Sequence, residues 1–200
     1  MKKLLISLII SVGLISATQA GDPVAGKTKA ATCGACHGAD GNSLAPNFPN
    51  IAGQGERYLV KQITEIKNGD RQVPEMIGFV MGLTETDIAD LAAYYAEQKP
   101  ATGGSVDPEL VELGKRIFLG GNEATGVPAC IACHSPNGKG VEAAGFPSLA
   151  GQHEAYTEKQ LIDFYNGDRH NDENNVMRDI ASRMHMDEIK AVSSYIRGLK

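Results

Sequence analysis

Beyond its first twenty residues, this 200-residue sequence has no apolar run long enough to span a bilayer. It also lacks a surplus of positive charge, since 19 Lys and Arg stand against 24 Asp and Glu for a formal net charge of -5. That balance argues against nucleic acid and anionic membrane surfaces as partners, and favours a partner with a basic docking patch. Cysteine is scarce, at four residues. In an exported chain four cysteines suggest two disulfides, but here both pairs are C-x-x-C followed directly by His.

The first twenty residues pose a separate problem. Lys2 and Lys3 precede a mostly apolar run from Leu4 to Ile15, and Ala17, Thr18 and Ala20 offer a cleavage site. This is the layout of a secretory signal peptide over 1–20, too short in its apolar part for a membrane anchor. Loss of Lys2 and Lys3 takes the charge from -5 to -7 and leaves about 180 residues from Gly21.

The rest is a tandem repeat. Phe48-Pro49-Asn50-Ile51-Ala52-Gly53-Gln54 returns as Phe146-Pro147-Ser148-Leu149-Ala150-Gly151-Gln152. Tyr58, Lys61 and Gln62 return as Tyr156, Lys159 and Gln160, and Asn68-Gly69-Asp70-Arg71 returns as Asn166-Gly167-Asp168-Arg169. Met76 then matches Met177, and Tyr94 matches Tyr195. A repeat of this length predicts two copies of one fold, over 21–99 and 109–200, joined by a Pro-, Gly- and Ser-containing linker at 100–108.

Each copy reads as helical. A first helix is expected around Val24–Ala31 and Glu109–Leu119, with Gly26 and Gly114 available for close helix crossing. Leu59, Ile63 and Ile66 mark a second helix before the Asn68-Gly69 stop. Thr84 with Asp87 opens a last helix carrying Ile88, Leu91, Ala92 and Tyr95 at helical spacing. The second copy has nine more residues between its glycine and its first cysteine, predicting an extra loop around Gly120–Pro128. Units of about 80 to 90 residues without disulfides are short of core, and a large apolar cofactor would supply it.

The motifs Cys33-Gly34-Ala35-Cys36-His37 and Cys130-Ile131-Ala132-Cys133-His134 name that cofactor. In C-x-x-C-H each sulfur adds across a haem vinyl group, and the adjacent His binds the iron. A redox dithiol would need a βαβ context, and zinc would not require His directly after each pair. The reading is therefore two covalent haem c groups, with Cys33, Cys36, Cys130 and Cys133 as thioether positions and His37 and His134 as axial ligands.

The sixth iron position calls for a second ligand, and a methionine thioether there favours reduced iron. Met76 and Met177 alone match across the repeat, with Met81 the competitor in copy one. Met184 and Met186 are expected to pack at the start of the last helix. His153, His170 and His185 have no histidine counterparts and are read as packing or surface residues. Tyr58, Arg71, Tyr156 and Arg169 are candidate propionate contacts, against a reading in which the tyrosines cap the core and the arginines are solvated. Arg57, opposite Ala155 in the repeat, is a candidate for the contact between copies.

With these flanks the sequence resembles the dihaem cytochrome c4 family across the mature chain. The resemblance rests on Cys33–Asn42, Pro46–Pro49, Ala52–Tyr58, Cys130–His134, Ala144–Pro147, Gly151–His153 and Ser194–Ile196. It implies an all-α chain of two tandem cytochrome c-like domains about a pseudo-twofold axis, with His and Met ligands falling on His37, Met76, His134 and Met177. It also implies a periplasmic, non-catalytic electron carrier, soluble or peripherally membrane-associated, working between a bc1-type donor and a cbb3-type oxidase. The alternative is a cytochrome subunit of an oxidoreductase such as a sulfur-compound dehydrogenase. Arg71 and Met76 are separated by only Gln72–Glu75, a departure that leaves the loop beside the first haem open.

Overall fold

The computed structural model describes residues 20–200, so the expected signal segment lies, Ala20 apart, outside the described residues. Among the described residues no helix is long and apolar enough to cross a membrane. The chain forms two helical units. The first holds α1 (Pro23–Lys29), α2 (Gly34–His37), α3 (Glu56–Asn68), α4 (Pro74–Val80) and α5 (Glu85–Ala96). The second holds α6 (Val111–Gly120), α7 (Ile131–His134), α8 (Glu154–Asn166), α9 (Val176–Ala181) and α10 (Met186–Gly198). Strand-like pairing among the described residues is limited to two isolated antiparallel bridges, Asn122 with Val127 and Val141 with Phe146.

Local chemistry sets the helix ends. Asp22 caps α1 by accepting from Val24 N at 2.8 Å, with Pro23 in the first turn where its missing N–H costs nothing. Thr84 and Asp87 form the expected capping box on α5. Helices α3 and α8 stop at Gly69 and Gly167, whose φ values of 86° and 81° are left-handed. The predicted first helices are each displaced by one or two residues, as fraying ends allow.

The first and last helices of each unit cross at a glycine. A Cβ on Gly26 would stand 1.9 Å from the Asp90 carbonyl oxygen, and one on Gly114 would stand 2.1 Å from that of Ala191. Backbone therefore meets backbone at both crossings, and only glycine fits. Around them lie two small cores, one with Leu59, Leu91 and Ala92, the other with Ile117, Phe118, Ile189 and Val192.

The copies differ where the sequence inserts residues. The predicted loop after α6 is a structural part of unit two: Val127 joins the core, and Asn122 Nδ2 donates to Glu188 Oε1 at 2.7 Å. Between Arg169 and Met177 the longer connection turns through Asn174 and Asn175, at φ 53° and 60°, before α9. In unit one the short Gln72–Glu75 stretch passes directly into α4.

Gly26→Ala and Gly114→Ala should each cost about 1–3 kcal/mol by forcing the crossing helices apart, read by denaturant unfolding. A second test concerns Lys29, which bridges Asp87 at 2.8 Å and Asp90 at 2.5 Å. Lys29 holds both carboxyls below the ordinary range, helped at Asp87 by Thr84 and at Asp90 by the Asp22 N–H. Their contribution is present above the unfolded carboxylate pKa and is lost as pH falls below about 4. Lys29→Met should flatten the acid limb of unit-one unfolding, and an unchanged limb would contradict this assignment.

Candidate functional site

Each C-x-x-C-H motif forms a single helical turn, with its first cysteine at the N-cap position and its histidine at the C-terminus. Both histidines are buried, at 7% and 8% exposure. His37 Nδ1 donates to the Pro49 carbonyl at 2.9 Å, and His134 Nδ1 donates to that of Pro147 at 3.0 Å. A carbonyl can only accept, so the proton sits on Nδ1 and Nε2 carries the free lone pair. Burial holds both imidazoles below their ordinary pKa, more than offsetting the proline hydrogen bond, which keeps them neutral. A neutral imidazole with an anchored Nδ1–H is the form that binds a metal.

The four cysteines form no disulfide and lie half-buried beside these histidines. Burial pushes Cys130 up to about 11. Two cysteines and one anchored imidazole per turn form a donor set that fits haem c.

The methionines separate by placement. Met76 lies in the first turn of α4 and Met177 in that of α9, both half-buried. Met81 is 58% exposed. Met184 packs into the core as expected, whereas Met186 is 48% exposed. That expectation for Met186 is corrected, because the first turn of α10 leaves its side chain beyond the buried stripe.

The structure brings Tyr58, Arg71, Tyr156 and Arg169 together between the two units. Arg71 Nη2 donates to Tyr156 Oη at 2.9 Å and to Gln160 Oε1 at 2.8 Å, while its Nη1 reaches Gln62 Oε1 at 2.9 Å. Arg169 repeats the pattern with Tyr58 at 3.1 Å, Gln62 at 3.1 Å and Gln160 at 2.8 Å. Arg71 is not solvated, at 8% exposure, and the half-buried Arg169 stacks on Phe164 at 4.5 Å from the ring centre. Among the described residues neither has a carboxylate within salt-bridge distance. Burial alone would raise the Tyr58 pKa, yet Arg169 and Arg71 outweigh it and hold the phenol below its ordinary value. The acceptors that meet the two guanidiniums directly are neutral, with the Glu65 and Asp163 carboxylates one residue further out, behind Asn171 and Gln160.

Sequence reasoning missed the second layer of this junction. Gln152 Oε1 accepts from Asn50 N at 2.9 Å, and its Nε2 donates to Asn50 O at 2.8 Å. Gln54 makes the mirrored pair with Ser148, at 2.8 and 3.0 Å. Recurrence of the Phe-Pro-x-x-Ala-Gly-Gln segment was the available signal. Arg57 does reach the other unit, through its N–H to Glu142 Oε1 at 3.1 Å and Nη1 to Ala143 O at 2.9 Å. His153 Nε2 donates to Ser43 O at 3.0 Å across the junction while Nδ1 accepts from Arg197 at 3.2 Å. His170 and His185 are exposed.

Gln152→Ala should strand the half-buried Asn50 backbone groups and cost about 1–3 kcal/mol. The loss should appear as the two units unfolding in separate steps, and one unaltered cooperative transition would count against this contact.

The cytochrome c family profile matches residues 23–98 and 111–200, once per unit. The chain is 55% identical over 201 residues to cytochrome c4 of Pseudomonas aeruginosa, covering all of both chains. It is 39% identical to the thiosulfate dehydrogenase electron acceptor of Stutzerimonas stutzeri, covering 83% of this chain and 78% of that one. Its fold superposes on the crystal structure of reduced recombinant cytochrome c4 from Pseudomonas stutzeri with a TM-score of 0.88 at 51% identity, covering 90% and 100% of the two chains. With two anchored histidines, two cysteine pairs and this kinship, the chain belongs to the cytochrome c4 family of dihaem electron carriers, which bind two haem c groups covalently.

Proposed function

We propose that the chain is a periplasmic carrier of single electrons between respiratory-chain partners, taking them from a bc1-type complex and delivering them to a terminal oxidase of the cbb3 type. The observation that carries this reading is the matched pair of Nδ1–H to proline hydrogen bonds, which leaves His37 and His134 equally ready to ligate iron. Bound haem would supply the chemistry, a one-electron change between Fe(III) and Fe(II).

The chain's own residues bind and orient that cofactor. In this reading the units are 21–99 and 109–200, with 100–108 between them. Cys33 and Cys36 hold the first haem, and Cys130 and Cys133 the second. Met76 and Met177 complete the coordination and close both irons to exogenous ligands. Their equivalent positions, each in the first turn of a short helix, support the assignment, while the exposure of Met81 weighs against that competitor. Arg71, Arg169, Tyr58 and Tyr156 face the haem propionates. A buried guanidinium at Arg71 and a half-buried one at Arg169, neither with a carboxylate partner, favour an anionic group between them, and the lowered Tyr58 pKa points the same way. The acidic charge of the sequence fits docking on basic partner patches.

A second reading has the same carrier serving a sulfur-compound dehydrogenase, and the thiosulfate dehydrogenase electron acceptor of Stutzerimonas stutzeri favours it. Stable co-purification with a catalytic subunit would separate the two.

Replacing Met76 or Met177 singly should each remove about half of the weak thioether-to-iron absorption band of the oxidised protein, since one of two equal sites is lost. Loss of that band on replacing Met81 instead would overturn the first-site assignment.

A further inference from the structure

Tyr95 is where the two sites stop being copies. Its position in the second unit is held by Ile196, so a phenol in one copy faces an aliphatic chain in the other. Both residues are buried, each at 2% exposure. The ring lies against Gly41, where a Cβ would stand 2.9 Å from Tyr95 Cδ1, and it packs in the same cluster as Cys33. Among the described residues the Tyr95 hydroxyl is the buried side-chain polar atom without a hydrogen-bond partner. Neighbouring Tyr94, 5.0 Å away between ring centres, satisfies its own hydroxyl on the Ala39 carbonyl at 3.0 Å. A buried hydroxyl left unpaired is costly, so its retention calls for an acceptor supplied by the assembled site.

We propose that Tyr95 directs its O–H at the Cys33 side of the first haem and sets that site's potential apart from the second. When the Cys33 thiol adds across a vinyl group, its S–C bond forms and its hydrogen passes to the adjoining vinyl carbon. The sulfur is then an acceptor only, and Tyr95 must be the donor. Burial holds the phenol above its ordinary pKa, so it keeps its proton at neutral pH. Donation towards the thioether draws electron density from the macrocycle and favours the reduced iron. Ile196 has no such donor. Tyr95 is a positioning dipole for the cofactor and takes no part in bond making.

The inference rests on the haem assignment, and the two fail differently. Tyr95→Phe removes the hydroxyl alone, and potentiometric titration with haem-resolved NMR follows each iron separately. The first site should become about threefold harder to reduce at a fixed poise, about 30 mV at 59 mV per tenfold, with the second site unmoved. A first site that does not move, or two sites that move together, overturns the role of Tyr95. Absence of two one-electron waves in the unmutated protein would instead overturn the haem reading. Resonance Raman spectra of the unmutated protein in D2O give an independent measure that needs no variant. A carbon–sulfur stretching mode that shifts on exchange supports the contact, and one that does not shift contradicts it.

Discussion

The hydrogen bond from an imidazole Nδ1 to a proline carbonyl, made once in each unit, is the constraint on which the sites depend. It fixes the tautomer, turns the ring and leaves one nitrogen for a metal. The surrounding fold serves this contact. A one-turn helix carries the histidine, and the Phe-Pro loop brings the carbonyl to it. Crossed first and last helices, joined at Gly26 and Gly114, hold the platform beneath. Because the proteinaceous cores are small, the cofactor completes each domain as well as serving it.

The two units are joined by polar contacts more than by apolar ones. Gln54 and Gln152 each pair with backbone of the other unit, and Arg71 and Arg169 each cross to the opposite tyrosine. Such contacts are directional, so they define one relative orientation where an apolar seam would tolerate sliding. Symmetry about the junction gives the two sites related surroundings. The departures from symmetry are local: the loop at Asn122–Val127, the left-handed turn at Asn174 and Asn175, and Tyr95 opposite Ile196. These are the places where the surroundings of the two sites differ.

Much of this was legible in the sequence because the chemistry sits at fixed spacing. C-x-x-C-H, the long repeat and the Thr84 capping box each encode a local geometry that needs no tertiary information. Gly26 and Gly114 were readable as close-approach positions, although only the crossing itself shows how little room they leave. What stayed hidden depends on contacts between distant segments. Pro49 and Pro147 act through backbone carbonyls, which carry no side-chain signature. Asn50 and Gln152 meet across the junction, where no spacing rule links them. Met186 was misplaced because one residue of helical phase decides between core and solvent.

In the function proposed, Met76 and Met177 close both irons, so that the protein carries electrons and binds no small substrate. Exposure of the fully reduced native protein to carbon monoxide tests it most directly. The absorption spectrum should stay unchanged at both haems. A carbon monoxide adduct at either one would show an open coordination site and contradict the account.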